Sequence, residues 1–174
     1  NSAYWDGDIP WISAKSMHDI YVSESEDMVT EVGANNGTRL IPPKTILILV
    51  RGSMLYRRIP ICLTIRAVTF NQDVKAIIPA ENIVPEFLLY WLMSHENVLL
   101  SKVEVTGMGA GKLSTDILEN TIIPLPPLAE QKAIAQILGT WDEAIAITEA
   151  LIEALILRKR ALMQRLLTGE IRND

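Results

Sequence analysis

One cysteine, two histidines and the absence of long apolar runs exclude several classes of protein. Cys62 has no second cysteine to pair with, so the chain cannot form an internal disulfide or a cysteine-rich metal site. A lone thiol makes a reducing compartment the default, and we expect a cytoplasmic protein. No uninterrupted apolar run reaches the roughly eighteen residues of a membrane span, and the first residues show no signal-peptide pattern. We therefore expect no membrane association.

The glycine-rich stretch at residues 107–112 has the wrong spacing for nucleotide binding. A phosphate-binding loop requires Gly five residues before its Gly-Lys pair, where this chain has Thr106, and a hydroxyl after the lysine, where it has Leu113. The dinucleotide-binding fingerprint fails as well, because Lys112 stands at the position of the third glycine. We interpret the stretch as a flexible loop before a helix that is capped near residues 114–115.

The sequence contains no constellation of catalytic or metal-binding residues. His18 and His95 are far apart, and neither belongs to an HExxH motif. Asp73 has no acidic residue between positions 32 and 72 with which to share a metal ion, so we interpret it as a turn or ion-pair residue. Methyl transfer would require a cofactor-binding glycine motif and a polar-Pro-Pro-aromatic loop, whereas residues 125–128 read LPPL. We expect no catalytic residue and no metal site.

Three prolines within residues 124–127 mark a domain boundary, because proline interrupts both helices and central strands. Before them, short β-branched runs at residues 45–50, 59–68 and 74–78 alternate with Gly, Pro and Asn, a pattern typical of strands and turns. Further stretches with helical patterns occupy residues 87–93 and 114–120. Apolar residues make up 49% of the chain, which suffices for a buried core.

These patterns predict the α+β fold class with two parts. A compact mixed α/β domain occupies residues 1–127. One long α-helix lies within residues 128–174, and its length favours pairing with another long helix.

The long helix carries an apolar seam with a heptad repeat, interrupted by Thr148 and Lys159. A helix of about forty residues spans roughly 60 Å, which is longer than the preceding domain. Folding back onto its own domain remains one alternative. In the other two alternatives, the seam pairs with the helix of a second copy of the chain or with another helix of a longer chain. The predicted seam residues are Ile134, Leu138, Trp141, Ile145, Ile152, Leu155, Leu162 and Leu166.

Positive charge is concentrated between residues 39 and 75, although the whole chain has a net charge of −5. That segment holds seven basic residues and one acidic residue, so it is a candidate for phosphate contacts. Amide and guanidinium side chains can also read base edges. A solvated basic turn is the alternative. The candidate DNA-binding residues are Lys15, Arg39, Lys44, Arg51, Ser53, Tyr56, Arg57, Arg58, Asn71, Gln72 and Lys112.

Four segments together carry a resemblance to a known family. They read YWDGDIPWIS at residues 4–13, ILVRGS at 48–53, FNQDVKAIIP at 70–79 and IPLPPLAEQKAI at 123–134. The last leads into the long helix, which ends in LMQRLLTG. In this order the segments resemble the DNA-specificity subunit of type I restriction-modification systems.

The resemblance implies a target recognition domain followed by one conserved-region helix, which pairs in an antiparallel coiled coil. In that family two recognition domains are usually separated by two long antiparallel helices, whereas this sequence has one of each and lacks the segment that normally precedes the YWDG motif. The implied function is sequence-specific recognition of double-stranded DNA without catalysis.

The implied partners are modification (methyltransferase) subunits and a restriction subunit, with S-adenosylmethionine, ATP and Mg on those partners only. The chain would act as a homodimer or as the second half of a longer chain. Two alternatives remain: the recognition portion of a fused restriction-methylation enzyme, and an assembly scaffold that does not bind DNA.

Overall fold

The computed structural model describes residues 1–105, 107 and 109–169, and it divides the chain into two compact units, residues 1–135 and 136–174. The end of the predicted helical part, residues 170–174, lies outside the described residues. The predicted α+β class is confirmed. The strands are β1 (Trp5–Ile12), β2 (Tyr21–Val22), β3 (Met28–Val29), β4 (Ile46–Leu49), β5 (Arg51–Gly52), β6 (Ile61–Thr64), β7 (Thr69–Phe70), β8 (Val74–Ile77), β9 (Glu104–Val105) and β10 (Gly111–Lys112). The α-helices are α1 (Glu31–Gly37), α2 (Pro85–Ser94), α3 (Glu96–Leu100), α4 (Thr115–Glu119) and α5 (Leu128–Leu167).

A four-stranded sheet with the order β2-β6-β4-β8 forms the centre of the first unit. All four residues of β4 are fully buried, which explains why the sequence there is a continuous apolar run rather than an alternating one. Strands β6 and β8 flank β4 in antiparallel pairs, and β2 pairs with β6 in parallel. A second sheet, β3-β1-β7, carries the YWDGDIPWIS segment on β1. The predicted strand over residues 59–68 is shorter than expected, because only β6 within it is a regular strand.

Helix α2 covers the central sheet with four buried apolar residues. Pro85 occupies its first turn, where the missing N–H leaves no hydrogen bond unmade. Cys62 lies in β6 beneath this layer, and burial raises the pKa of its thiol to about 12.

Apolar residues of the motif segments contribute to the core unevenly. The buried ones include Ile12, Ile48, Leu49, Val50 and Val74. Ile9, Trp11 and Phe70 are half-buried, and Ile78 is exposed. Phe70 still packs against the buried core.

The third sheet has the order β5-β10-β9 and corrects one expectation. Residues 107–112 were expected to form a flexible loop, but Gly111 and Lys112 form strand β10 and pair with strands on both sides. A Cβ at Gly111 would lie 2.8 Å from Cβ of Leu55 and 3.2 Å from the carbonyl oxygen of Gly52, so only glycine fits this close approach. The helix that follows is capped by Ser114, as expected.

Helix α5 begins at Leu128, directly after the prolines, and its first turns belong to the first unit. Gln131 is the one buried residue of α5, with 1% of its surface exposed. Its Oε1 accepts a hydrogen bond from the N–H of Val84 (2.8 Å), and its Nε2 donates to the carbonyls of Asn82 (3.1 Å) and Pro126 (2.9 Å). The side chain therefore joins the N-terminal ends of α5 and α2.

The second unit contains the rest of α5. From Gln136 onward every described side chain of the helix is exposed or half-exposed. The helix stops at Leu167, and Gly169 has a φ of +79°, a left-handed conformation that is common just after the end of a helix. Within the described residues no helix is long and apolar enough to cross a membrane.

Candidate nucleic-acid interface

Val50, the residue between β4 and β5, brings two parts of the predicted site together through its main chain. Its N–H donates to the carbonyl of Asp73 (2.8 Å), and its carbonyl accepts from the N–H of Leu113 (2.9 Å). The turn before β8 and the end of β10 therefore lie on either side of Val50. As predicted, Asp73 is a turn residue: its N–H also bonds to Oδ1 of Asn71 (3.1 Å).

A short row of charged side chains crosses the third sheet. Arg51 of β5 is opposite Lys112 of β10, which is in turn opposite Glu104 of β9. Directly opposed residues point to the same face of an antiparallel sheet. All three side chains are exposed, and among the described residues neither Arg51 nor Lys112 forms an ion pair. The row therefore presents two adjacent cations with an acidic residue at one end.

The segment after β5 is a 3₁₀ turn (Ser53–Tyr56) rather than an open loop. Leu55 is 1% exposed and anchors the turn in the core. The hydroxyl of Tyr56 donates to the carbonyl of Gly109 at 2.6 Å. The N–H groups of Arg57 and Arg58 both donate to the carbonyl of Met54, at 2.9 and 3.0 Å. Ser53, Arg57 and Arg58 are exposed at the surface of this anchored turn.

The other candidate residues have different surroundings. Lys15 lines a pocket with Glu24, Glu26 and Asp27, so a phosphate there would meet several carboxylates. Nζ of Lys44 lies 3.6 Å from the carboxylate of Glu86. Both lysines therefore have acidic neighbours, and neither belongs to β5 or to the turn that follows it.

Two further candidates, Asn71 and Gln72, belong to the turn beside Val50. Asn71 is half-buried and its Oδ1 is engaged with the turn, whereas Gln72 is exposed. Arg39 is exposed after α1. Arg58 lines a pocket of about 160 Å³ that also contains Asp19 and Glu96.

The structure therefore brings together part of the predicted DNA-binding set. We define the basic patch as the residues of β5, its 3₁₀ turn, β10 and the adjoining turn that expose polar or cationic side chains: Arg51, Ser53, Tyr56, Arg57, Arg58, Gln72 and Lys112. Sequence reasoning missed Glu104 as a neighbour of the patch, because β9 and β10 carry too few residues to show an alternating pattern. It also assigned no role to Gln131, because the buried partners of this side chain include residues of a distant segment, Asn82 and Val84.

No group of three or more His, Cys, Asp and Glu residues suited to hold a metal ion occurs in the part of the chain that the structure describes.

Most of the predicted helix seam is exposed. Trp141 has 66% of its surface exposed, Ile145 53% and Leu155 53%. Ile134 is half-buried and belongs to the first unit, not the second. Trp141, Ile145 and Thr148 line an open groove on one side of the helix. The exposed seam is suited to contact another helix.

Comparisons with known proteins agree on one family. Residues 1–156 match the family model described as the type I restriction modification DNA specificity domain. The specificity subunit of the type I restriction enzyme EcoR124I/EcoR124II of Escherichia coli is 36% identical over 160 residues, covering 90% of this chain and 40% of that protein. The MjaIX specificity subunit of Methanocaldococcus jannaschii is 32% identical over 146 residues, covering 82% of this chain and 33% of that protein. The chain thus spans between a third and two fifths of the length of these relatives.

Solved structures show a similar fold at low sequence identity. The HsdS subunit from Thermoanaerobacter tengcongensis aligns with a TM-score of 0.61 at 20% identity, covering 84% of this chain and 33% of that one. A chain from a study of complex assembly and conformational transition of the type I R-M system aligns with a TM-score of 0.67 at 20% identity, covering 95% of this chain and 40% of that one. Because the family model matches most of the chain, the chain belongs to the type I restriction-modification DNA specificity family.

Proposed function

We propose that this chain recognises a specific sequence in double-stranded DNA and performs no catalysis itself. One observation carries the proposal. The third sheet holds Arg51 beside Lys112, and the exposed turn that follows Arg51 ends in two further arginines, Arg57 and Arg58, in a chain that belongs to a DNA specificity family. Guanidinium and ammonium groups at such positions suit contacts to phosphates, and arginine can also bond the major-groove edge of guanine. The similarity to specificity subunits supports the same role.

The basic patch is held by main-chain and core contacts, so its outward side chains are free to contact DNA. Val50 fixes the strands on both sides, Leu55 anchors the 3₁₀ turn, and Tyr56 ties that turn to Gly109. Rigid support of exposed polar side chains lowers the entropy cost of binding. Gln72, at the edge of the patch, supplies an amide that can bond adenine.

The long helix is the proposed docking element. Its exposed seam would pair antiparallel with a second copy of the chain, which would place one recognition unit on each half of a bipartite target. Its other proposed partners are modification (methyltransferase) and restriction subunits. S-adenosylmethionine would then belong to the former and ATP and Mg to the latter, and the complex would act in the cytoplasm, where the DNA is.

The first experiment is selection of bound duplexes from a random DNA pool at near-physiological salt, followed by sequencing. An enriched inverted repeat with a fixed gap is expected if two paired copies each read a half-site. A single short half-site would show recognition without pairing. Absence of enrichment would contradict sequence-specific recognition and would favour a scaffold that does not bind DNA.

The second experiment measures affinity for the selected duplex as a function of salt with Arg51→Ala plus Lys112→Ala. Each lost phosphate contact is expected to reduce the slope of log K against log salt by about 0.9. Lys15→Ala plus Lys44→Ala, which removes the same charge, is the matched control, because both lysines lie beside carboxylates and neither belongs to the basic patch. Equal effects of the control and the double variant would argue against the patch as the DNA-binding surface.

A further inference from the structure

The seam of α5 contains two polar interruptions, Thr148 and Lys159, and their positions restrict how two copies can pair. In the heptad repeat, Lys159 occupies the same position as Ile145 and Ile152, whereas Thr148 occupies the other seam position, together with Leu155. In antiparallel coiled coils, residues of one seam position face residues of the other. The two interruptions can therefore meet each other across an antiparallel pair.

We propose that the antiparallel pair of α5 helices has one register, in which Thr148 of each copy faces Lys159 of the other. This inference rests on the antiparallel pairing of the proposed function and adds its register. The remaining layers are then apolar on both sides: Ile152 faces Leu155, Ile145 faces Leu162, and Trp141 faces Leu166.

Alternative registers leave polar groups against apolar ones. A slide by one heptad in either direction places Lys159 opposite Trp141 or Leu155, and Thr148 opposite Ile152 or Leu166. A buried ammonium without a polar partner is costly, so a single polar position can specify register. A parallel pair in register would instead place Lys159 against Lys159 of the second copy, with repulsion between like charges.

The charge distribution along α5 supports the antiparallel orientation independently. Between residues 133 and 157 the helix carries acidic residues and no basic ones, namely Asp142, Glu143, Glu149 and Glu153. From residue 158 to 165 it carries basic residues and no acidic ones, namely Arg158, Lys159, Arg160 and Arg165. Antiparallel copies place the acidic segment of each along the basic segment of the other, whereas parallel copies align like charges.

The open groove on α5 fits this arrangement. Trp141, Ile145 and Thr148 line it, with Glu149 at its edge. In the proposed register, the side chains that face it are Leu162 and Lys159 of the second copy. Glu149 adjoins Thr148 in the sequence and is the carboxylate nearest to that ammonium along the helix.

Spin labels on the full chain test the orientation and the register. Three variants each carry one label site, at an exposed position off the seam: Ala146→Cys, Ala154→Cys and Ala161→Cys. The buried Cys62 has a raised pKa, and the unsubstituted chain is the control for its labelling. Along the helix axis, labels at Ala154 of the two copies should be separated by about 2 Å, and those at Ala146 or Ala161 by about 22 Å.

Double electron–electron resonance should therefore give the shortest distance between the two labels at Ala154, and equal, longer distances at Ala146 and Ala161. Equal separations at all three positions would show a parallel pair. Different separations at Ala146 and Ala161 would show another register. Either result, or a monomer at every concentration, would overturn the proposal.

A charge substitution within the polar layer tests it by a second readout. Thr148→Glu should tighten self-association by about tenfold, because two Glu-Lys pairs replace two Thr-Lys contacts. Thr148→Lys, the matched variant, should weaken it, because lysines then face each other. If both variants weaken association, Thr148 does not face Lys159, and the proposed register is wrong. If neither changes it, Thr148 lies outside the interface. The affinity of each variant for a DNA duplex with a single half-site is measured as well. Binding to a single half-site does not require pairing, so a failure of pairing remains distinguishable from a failure of recognition.

Discussion

The hydroxyl of Tyr56 donates a 2.6 Å hydrogen bond to the carbonyl of Gly109, which lies 53 residues further along the chain. The bond joins the 3₁₀ turn after β5 to the segment before β10, so it supports the basic patch from one side. Tyr56 was a candidate DNA-binding residue, and this bond gives it a positioning role as well.

Tyr56→Phe should weaken binding to the selected DNA several-fold with little loss of stability. The hydrogen bond lies at the surface, so its removal should lower the free energy of unfolding by about 1 kcal/mol or less. The measurements are DNA affinity and urea unfolding on the same preparation. A loss of affinity that follows only a large loss of stability would contradict the positioning role.

Arg57→Ala combined with Arg58→Ala should weaken DNA binding and flatten its dependence on salt. If both arginines contact phosphates, the slope of log K against log salt should fall by up to about two, with each contact contributing about 0.9. Each single variant shows whether Arg58, which shares a pocket with Asp19 and Glu96, contributes less than Arg57. An unchanged slope would remove both residues from the interface.

Glu104→Gln should strengthen DNA binding. Glu104 lies opposite Lys112 on the same face of the third sheet, so its carboxylate opposes the approach of a phosphate. The expected gain is several-fold at low salt and smaller at high salt, because salt screens exposed charges. Glu119→Gln, on the exposed end of α4, is the control for the change in net charge. An equal gain in the control would indicate a general charge effect.

Gln131→Glu should destabilise the first unit by about 2–4 kcal/mol at neutral pH, because an ionised carboxylate cannot donate to the carbonyls of Asn82 and Pro126. Urea unfolding measures the change. Gln136→Glu, a substitution at an exposed position of the same helix, should have almost no effect. Comparable stability of the two variants would show that the buried amide contributes little.

Stability should fall with rising pH above about 9 because of Cys62. Burial raises the pKa of its thiol from the ordinary value of 9.0 to about 12, so the folded protein keeps the proton that the unfolded chain releases. The stabilisation is complete below the unfolded pKa and declines by about 1.4 kcal/mol per pH unit above it. Unfolding at pH 8 and pH 10 measures the change, and Cys62→Ala should remove this part of it. An identical decline in the variant would assign it to other groups.

Those parts of the fold that depend on local patterns could be predicted from the sequence. The proline cluster at residues 124–127 gave the start of α5, and the heptad pattern gave its length. The apolar runs gave β4 and β8. Long stretches of one periodicity carry enough residues for the pattern to be unambiguous.

The arrangement of the candidate site depended on contacts between distant segments. Strand β10 has two residues, and only its pairing with β5 and β9 distinguishes it from a loop. The position of Lys15 among carboxylates likewise follows from the folding of residues 24–27 against it, not from its neighbours in sequence. The family resemblance supplied the function, whereas composition alone supplied only a local excess of positive charge.

Few of the outward side chains of the basic patch take part in the contacts that hold the patch in place. Val50 holds its neighbours through main-chain atoms, and Gly111 contributes no side chain at all. Substitutions at Arg51, Gln72 and Lys112 therefore change the chemical surface without disturbing the scaffold beneath it. New target specificities could thus arise by exchange of a few outward residues, while the folding of the chain stays the same.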